Sequence, residues 1–155
     1  LVLMAEDRRQ VEKLEATTKI REMFDLILKC NVDEQLINKS IPRNVFGFLV
    51  DCLSEDNASH PQLVANATAA LANIAPQKAT DIYDTKHSKV LIYLENWIKS
   101  STDEELLKNA ISILKPIIAK DIVREMDYRK FSTLFNSRNK EIFEEALCAA
   151  YHLIS

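Results

Sequence analysis

Side-chain amides recur at helical spacing in this chain, and amides suit one kind of work: holding other polypeptide. Gln62, Asn66, Ala69 and Asn73 lie in the stretch HPQLVANATAALANIAP, residues 60–76. At 100° per residue these four fall within about 60° of one another. A carboxamide both donates and accepts hydrogen bonds, so such a row can grip the backbone of a segment whose side chains vary. The same amides could instead satisfy neighbouring groups of their own chain. Other chemistry finds little support. His60, His87 and His152 fall in separate elements without HExxH or CxxC spacing, so no metal is expected. A chain with one glycine, Gly47, can hardly build a glycine-rich phosphate loop. Glu104–Glu105 and Glu144–Glu145 are adjacent helical positions that diverge by about 100°, which makes them surface charge rather than an acid/base pair. No catalytic residue, cofactor or enzymatic activity is expected.

The element that must carry the amides is a helix. Leu63, Ala67, Ala70, Leu71 and Ile74 recur at intervals of three and four, one apolar face. Pro61 fits the first turn, where its missing N–H costs nothing, and Pro76 is expected to end the helix. Ala65, Ala67, Ala69, Ala70 and Ala72 keep it slim, so neighbours can approach closely.

Composition sets the wider bounds. At 155 residues the chain is one domain or a piece of an extended array. A single glycine and four prolines are too few for hairpins and tight turns, so the fold class is all-α. The net charge of −3 gives no reason to expect nucleic acid. Cys30, Cys52 and Cys148 are widely spaced in apolar helical pattern, which suggests buried reduced thiols in a cytoplasmic or nuclear protein. LVLM is too short for a signal peptide, and no run reaches the ~18 apolar residues of a membrane span. Both ends fall inside helical pattern, so the chain could be part of something longer.

Taken in order, residues 5–30 read as one long helix with Ile20, Met23, Phe24, Ile27 and Leu28 on its apolar side and a mixed-charge first half that suits a polar cap. Asp33 caps a short helix through Ser40. The next, about 42–54, turns Val45, Phe46, Leu49 and Leu53 inward. SEDNASH is turn material before the amide-bearing helix. A short segment 79–86 precedes a helix over 87–99 that buries Val90, Leu91, Leu94, Trp97 and Ile98. SSTD then supplies an N-cap for EELLKNAISILKPIIA, in which Pro116 removes a bond to Ser112 and either kinks the helix, changing the local curvature, or ends it early. DIVREM, a helix burying Phe131, Leu134 and Phe135, the turn NSRN and KEIFEEALCAAYHLIS complete a third cycle.

The long helices repeat. QLVANATAALANI (62–74), ELLKNAISILKPI (105–117) and EIFEEALCAAYHL (141–153) align without gaps, with Ala67, Ala110 and Ala146 identical. The offsets of 43 and 36 residues suit helical solenoids. The amide stripe then has counterparts in Glu105, Asn109, Ser112, Pro116 and in Glu141, Glu145, Cys148, His152. The carboxylates would favour a partner segment bearing Lys or Arg.

These residues resemble the armadillo repeat and, more loosely, the HEAT repeat. ALANIA (70–75) is similar to the end of that family's third helix. TDEELLKNA (102–110) and NKEIFEEAL (139–147) resemble its start, and NKSIPRNVFGFLVDCL (38–53) its first-to-second helix passage. The family's glycine between first and second helices is absent throughout. Its tryptophan position falls on Ala69, Ser112 and Cys148, and its asparagine remains only as Asn73, with Pro116 and His152 as equivalents. The resemblance implies a right-handed α-solenoid of about three repeats, 33–75, 79–119 and 121–155, preceded by a capping helix or degenerate repeat over 5–30. It also implies that the third helices line a concave face. A non-enzymatic module that binds a partner protein there is the expected function, with Gln62, Asn66, Asn73, Glu105, Asn109, Ser112, Glu141, Glu145 and His152 as contacts. The alternatives are a nucleotide-exchange or release regulator of a small GTPase or chaperone, and a structural part of a larger scaffold.

Overall fold

The structure, a computed structural model, describes residues 2–30, 41–85 and 89–119, together with Lys140, Glu144, Leu147 and Cys148. These residues form five α-helices and one 3-10 turn, and no strand occurs among them. The helices are α1 (Val2–Lys29), α2 (Arg43–Asp51), α3 (Pro61–Asp84), α4 (Lys89–Ser100) and α5 (Glu104–Ala119), with the 3-10 turn at Glu55–Asn57. The expected segment from Asp33 through Ser40 and most of residues 121–155, including Glu141, Glu145, Ala146 and His152, lie outside the described residues.

Helix α3 is the central element, packed most closely against α5, then α1, then α2. Alanine makes this possible. Ala67, Ala70, Ala75 and Ala79 are fully buried, so neighbours come close to the α3 backbone on several sides. Leu63, Val64, Leu71, Ile74 and Ile82 join Phe24 of α1 and Phe46, Leu49 and Val50 of α2 in one continuous core. Val90, Leu94 and Ile98 of α4 and Leu106, Ala110, Ile111, Ile113, Leu114 and Ile117 of α5 extend it. Each buried leucine or isoleucine contributes about 1.5–3 kcal/mol relative to exposure. Thr68, buried mid-helix, returns its hydroxyl to the carbonyls of Val64 (2.9 Å) and Ala65 (3.0 Å), so it adds no unsatisfied group to this core.

The starts of α3 and α5 are set in different ways, by a proline and by a carboxylate. Pro61 occupies the first turn of α3. The Asp103 carboxylate accepts from the backbone N–H of Glu105 (3.0 Å) and Leu106 (3.3 Å), which caps α5. Beyond α2, the Asn57 amide donates to the carbonyls of Asp51 (3.4 Å) and Cys52 (3.3 Å), and the Trp97 indole donates to that of Leu53 at 2.6 Å. Trp97 is half-buried against the core and ties α4 to the end of α2.

The two prolines expected to end helices behave differently from each other. The α3 stretch reaches Asp84 as two helical segments joined by a kink at Lys78 (φ −124°, ψ 22°), so the first segment breaks two residues after Pro76, close to the expected end, and the expected short segment follows it. The chain bends because Pro76 cannot donate to the carbonyl of Ala72, while packing of Ala75, Ala79 and Ile82 holds both halves against the core. Lys78, with its side chain only 8% exposed, pairs with Asp81 (3.3 Å), which also meets Arg43 of α2 (3.3 Å). Arg43 is 85% exposed, so water screens that second pair and it adds little stability. Pro116, by contrast, does not end α5, which runs on to Ala119 with Ile113, Leu114 and Ile117 all buried around the proline.

Helix α1 has the predicted length but not the predicted face. Phe24 is buried and Ile20 and Ile27 are half-buried, whereas Met23 and Leu28 are exposed and so is Leu26. The cysteines are corrected too. All three are free, but only Cys52 is buried, and Cys30 and Cys148 are exposed. No helix among the described residues is long and apolar enough to cross a membrane.

Candidate functional site

The amide row on α3 is real, and it faces α1. Asn66 is only 4% exposed. Its carbonyl oxygen accepts from Nη1 of Arg21 (3.2 Å) and from the Gln62 amide (3.2 Å), and its NH2 donates to the Thr18 hydroxyl (3.0 Å). One helical turn pair further on, the Asn73 amide donates to the Asp25 carboxylate. The row therefore meets a matching row on α1, Thr18, Arg21 and Asp25. These three recur at i, i+3 and i+7 beside the buried or half-buried positions Thr17, Ile20, Phe24 and Ile27. Sequence reasoning singled out the amides and missed their partners. The signal was present as a polar ridge running alongside the apolar stripe of residues 17–27.

Gln62, exposed at the start of α3, borders a cleft of about 410 Å³ whose wall is mostly apolar: Val11 and Leu14 from α1, Pro61 and Leu63 from α3. A second, polar hollow of about 370 Å³ lies between Gln10 and Lys13 of α1, Asp51 at the end of α2, the 3-10 turn and Tyr93 of α4. Beside that hollow, burial pushes the Cys52 thiol up to about 11. Lys13 pulls it down and Asp51 pushes it further up. A thiol so disposed is a poor nucleophile.

The counterpart stripe on α5 is more open than the one on α3. Glu105 is exposed, and Asn109, Ser112 and Pro116 are half-buried. The Asp103 cap fixes the first turn from which Glu105 projects, and a carboxylate there also complements the positive end of the helix. Of the residues expected to form one surface, the structure thus describes two groups. Gln62, Asn66 and Asn73 are engaged at the α1–α3 seam, and Glu105, Asn109 and Ser112 lie along α5. Among the described residues no group of three or more His, Cys, Asp or Glu is placed to hold a metal ion.

No protein-family model matches the chain, and no curated protein matches it.

Proposed function

We propose that the chain is an armadillo-like right-handed α-solenoid that acts without chemistry of its own, binding a segment of a partner protein along its long helices. In this reading α1, α3 and α5 are successive third helices and α2 and α4 are second helices. The contact pattern supports it: α3 packs on both α1 and α5, α2 on α3, and α4 on α5. The observation that carries the functional part is the strip on α5, where Glu105, Asn109 and Ser112 stay exposed or half-buried beside a fully buried Ala110. Amide, hydroxyl and carboxylate there offer both donors and acceptors to an extended backbone, and Glu105 favours a segment bearing Lys or Arg.

The test is a selection from a randomised peptide library on the wild-type chain and on the variant Glu105→Lys/Asn109→Ala/Ser112→Ala. The wild type is expected to enrich Lys- or Arg-containing peptides. The variant is expected to lose that enrichment while keeping its helicity. Identical peptide pools from the two proteins would overturn the reading.

A further inference from the structure

Where the first turn of α3 meets α1, the two helices leave a cleft of about 410 Å³. That volume falls within the ~300–1,000 Å³ of pockets that enclose small ligands. Its walls are Val11 and Leu14 of α1 and Pro61 and Leu63 of α3. Leu63 belongs to the buried core, whereas Val11 is 54% exposed and Pro61 is exposed too. Apolar surface therefore stands in water at the mouth while the floor is fixed. The turn leading into α3 is held as well. The His60 N–H donates to the carbonyl of Asn57 (2.9 Å), and the His60 carbonyl accepts from the N–H groups of Leu63 (3.1 Å) and Val64 (3.3 Å). Among the described lining residues none is Asp, Glu, Lys or Arg. A charged ligand would lose its hydration there without meeting an opposite charge, so the cleft suits a neutral one.

One polar group of this wall is unanswered. Gln10 lines the cleft, its Oε1 is buried, and no donor among the described residues reaches that oxygen. A buried acceptor without a donor is a standing cost, and a ligand that supplies one removes it. Half a turn of the carboxamide exchanges its oxygen for its NH2, and a hydroxyl, which both donates and accepts, pairs with either. We infer that the cleft is a binding site for a small neutral molecule with an apolar body and one hydroxyl, the hydroxyl pairing with Gln10. The bound molecule covers Val11 and Pro61, and α1 and α3 keep their places. Glu105, Asn109 and Ser112 are not among the lining residues, so this site stands apart from the proposed segment-binding strip on α5.

The test follows backbone amide NMR shifts of the full chain at neutral pH during titration with 4-propylphenol, propylbenzene and 4-propylbenzoate. The phenol should shift Val11, Leu14 and Leu63 saturably and leave Asn109 and Ser112 in place. Propylbenzene, which lacks the hydroxyl, should bind about tenfold more weakly, and the benzoate anion should not bind. Gln10→Leu keeps the bulk and removes the amide, so it should bring the phenol down to the affinity of propylbenzene. Val11→Trp fills the mouth from an exposed position and should abolish binding of both. If Gln10→Leu fails to fold, the wild-type ratio of phenol to propylbenzene affinity decides the role of the hydroxyl, and a ratio near one overturns it. Absence of saturable shifts at the cleft overturns the site, as does phenol binding by Gln10→Leu equal to wild type. Equal binding of phenol and benzoate, or binding that survives Val11→Trp, does the same.

Discussion

Asn66→Ala distinguishes a structural amide from a surface one. The substitution removes three side-chain hydrogen bonds, to Arg21 (3.2 Å), Gln62 (3.2 Å) and Thr18 (3.0 Å). At about 1 kcal/mol net apiece they total about 3 kcal/mol. Two corrections reduce this. Gln62 and Thr18 are exposed and recover bonds to water, which takes off about 0.5–1 kcal/mol. Alanine is also the better helix former, by about 0.6 kcal/mol. The expected net loss is about 1.5–2 kcal/mol, or a fall in melting temperature of about 3–8 °C for a chain of this size. Urea and thermal unfolding followed by far-UV circular dichroism and Trp97 fluorescence measure it. Glu22→Ala, at an exposed site on α1, is the control and should stay within about 0.5 kcal/mol of wild type. An Asn66→Ala protein as stable as that control would refute the seam and return the amide to the surface.

Three further outcomes follow from the buried thiol and from the proline inside α5. Cys52 titrates near 11 in the fold, above its ordinary value of 9.0, so the folded state holds that proton more tightly than the unfolded one. Its contribution to stability is fully present below pH 9 and is lost as pH rises through about 11. A Cys52→Ala variant should lose this alkaline slope in urea titrations. At neutral pH a thiol reagent should label Cys30 and Cys148 and spare Cys52 until the chain unfolds. Pro116→Ala restores an N–H one turn after Ser112 inside a helix that already continues to Ala119. It should raise stability by about 1 kcal/mol or more, since proline costs about 3 kcal/mol in a helix interior. A lower midpoint in denaturant would mean that the proline serves the packing of α5.

Much of the fold was legible because periodicity and local chemistry suffice for it. The apolar positions of 63–74 and 106–117 are buried as their spacing predicts, Ala67 and Ala110 among them, and Asp103 caps α5 as its polar turn implied. The failures share a cause. Pro116 removes one backbone bond, a local loss that buried neighbours on both sides outweigh, so α5 does not end where the rule for isolated helices puts it, whereas the helix carrying Pro76 does break at Lys78. On α1, a stripe containing Ile20, Met23, Phe24, Ile27 and Leu28 wraps too wide an arc to choose its own inner side. Contact with α3 selects Phe24 and leaves Met23 and Leu28 in water.

By itself the sequence determined the helices, their order, their slender alanine-lined centres and the existence of an amide row. These follow from the 3.6-residue period and from side-chain volume, both of which act within one helix. Only the tertiary structure decided what the amides touch. A carboxamide on a helix surface accepts water, a peptide or a neighbouring side chain equally well, and Thr18, Arg21 and Asp25 lie some 48 or 45 residues away along the chain. Which of those partners it takes is fixed by the packing of α1 against α3, and nothing within α3 itself encodes that choice.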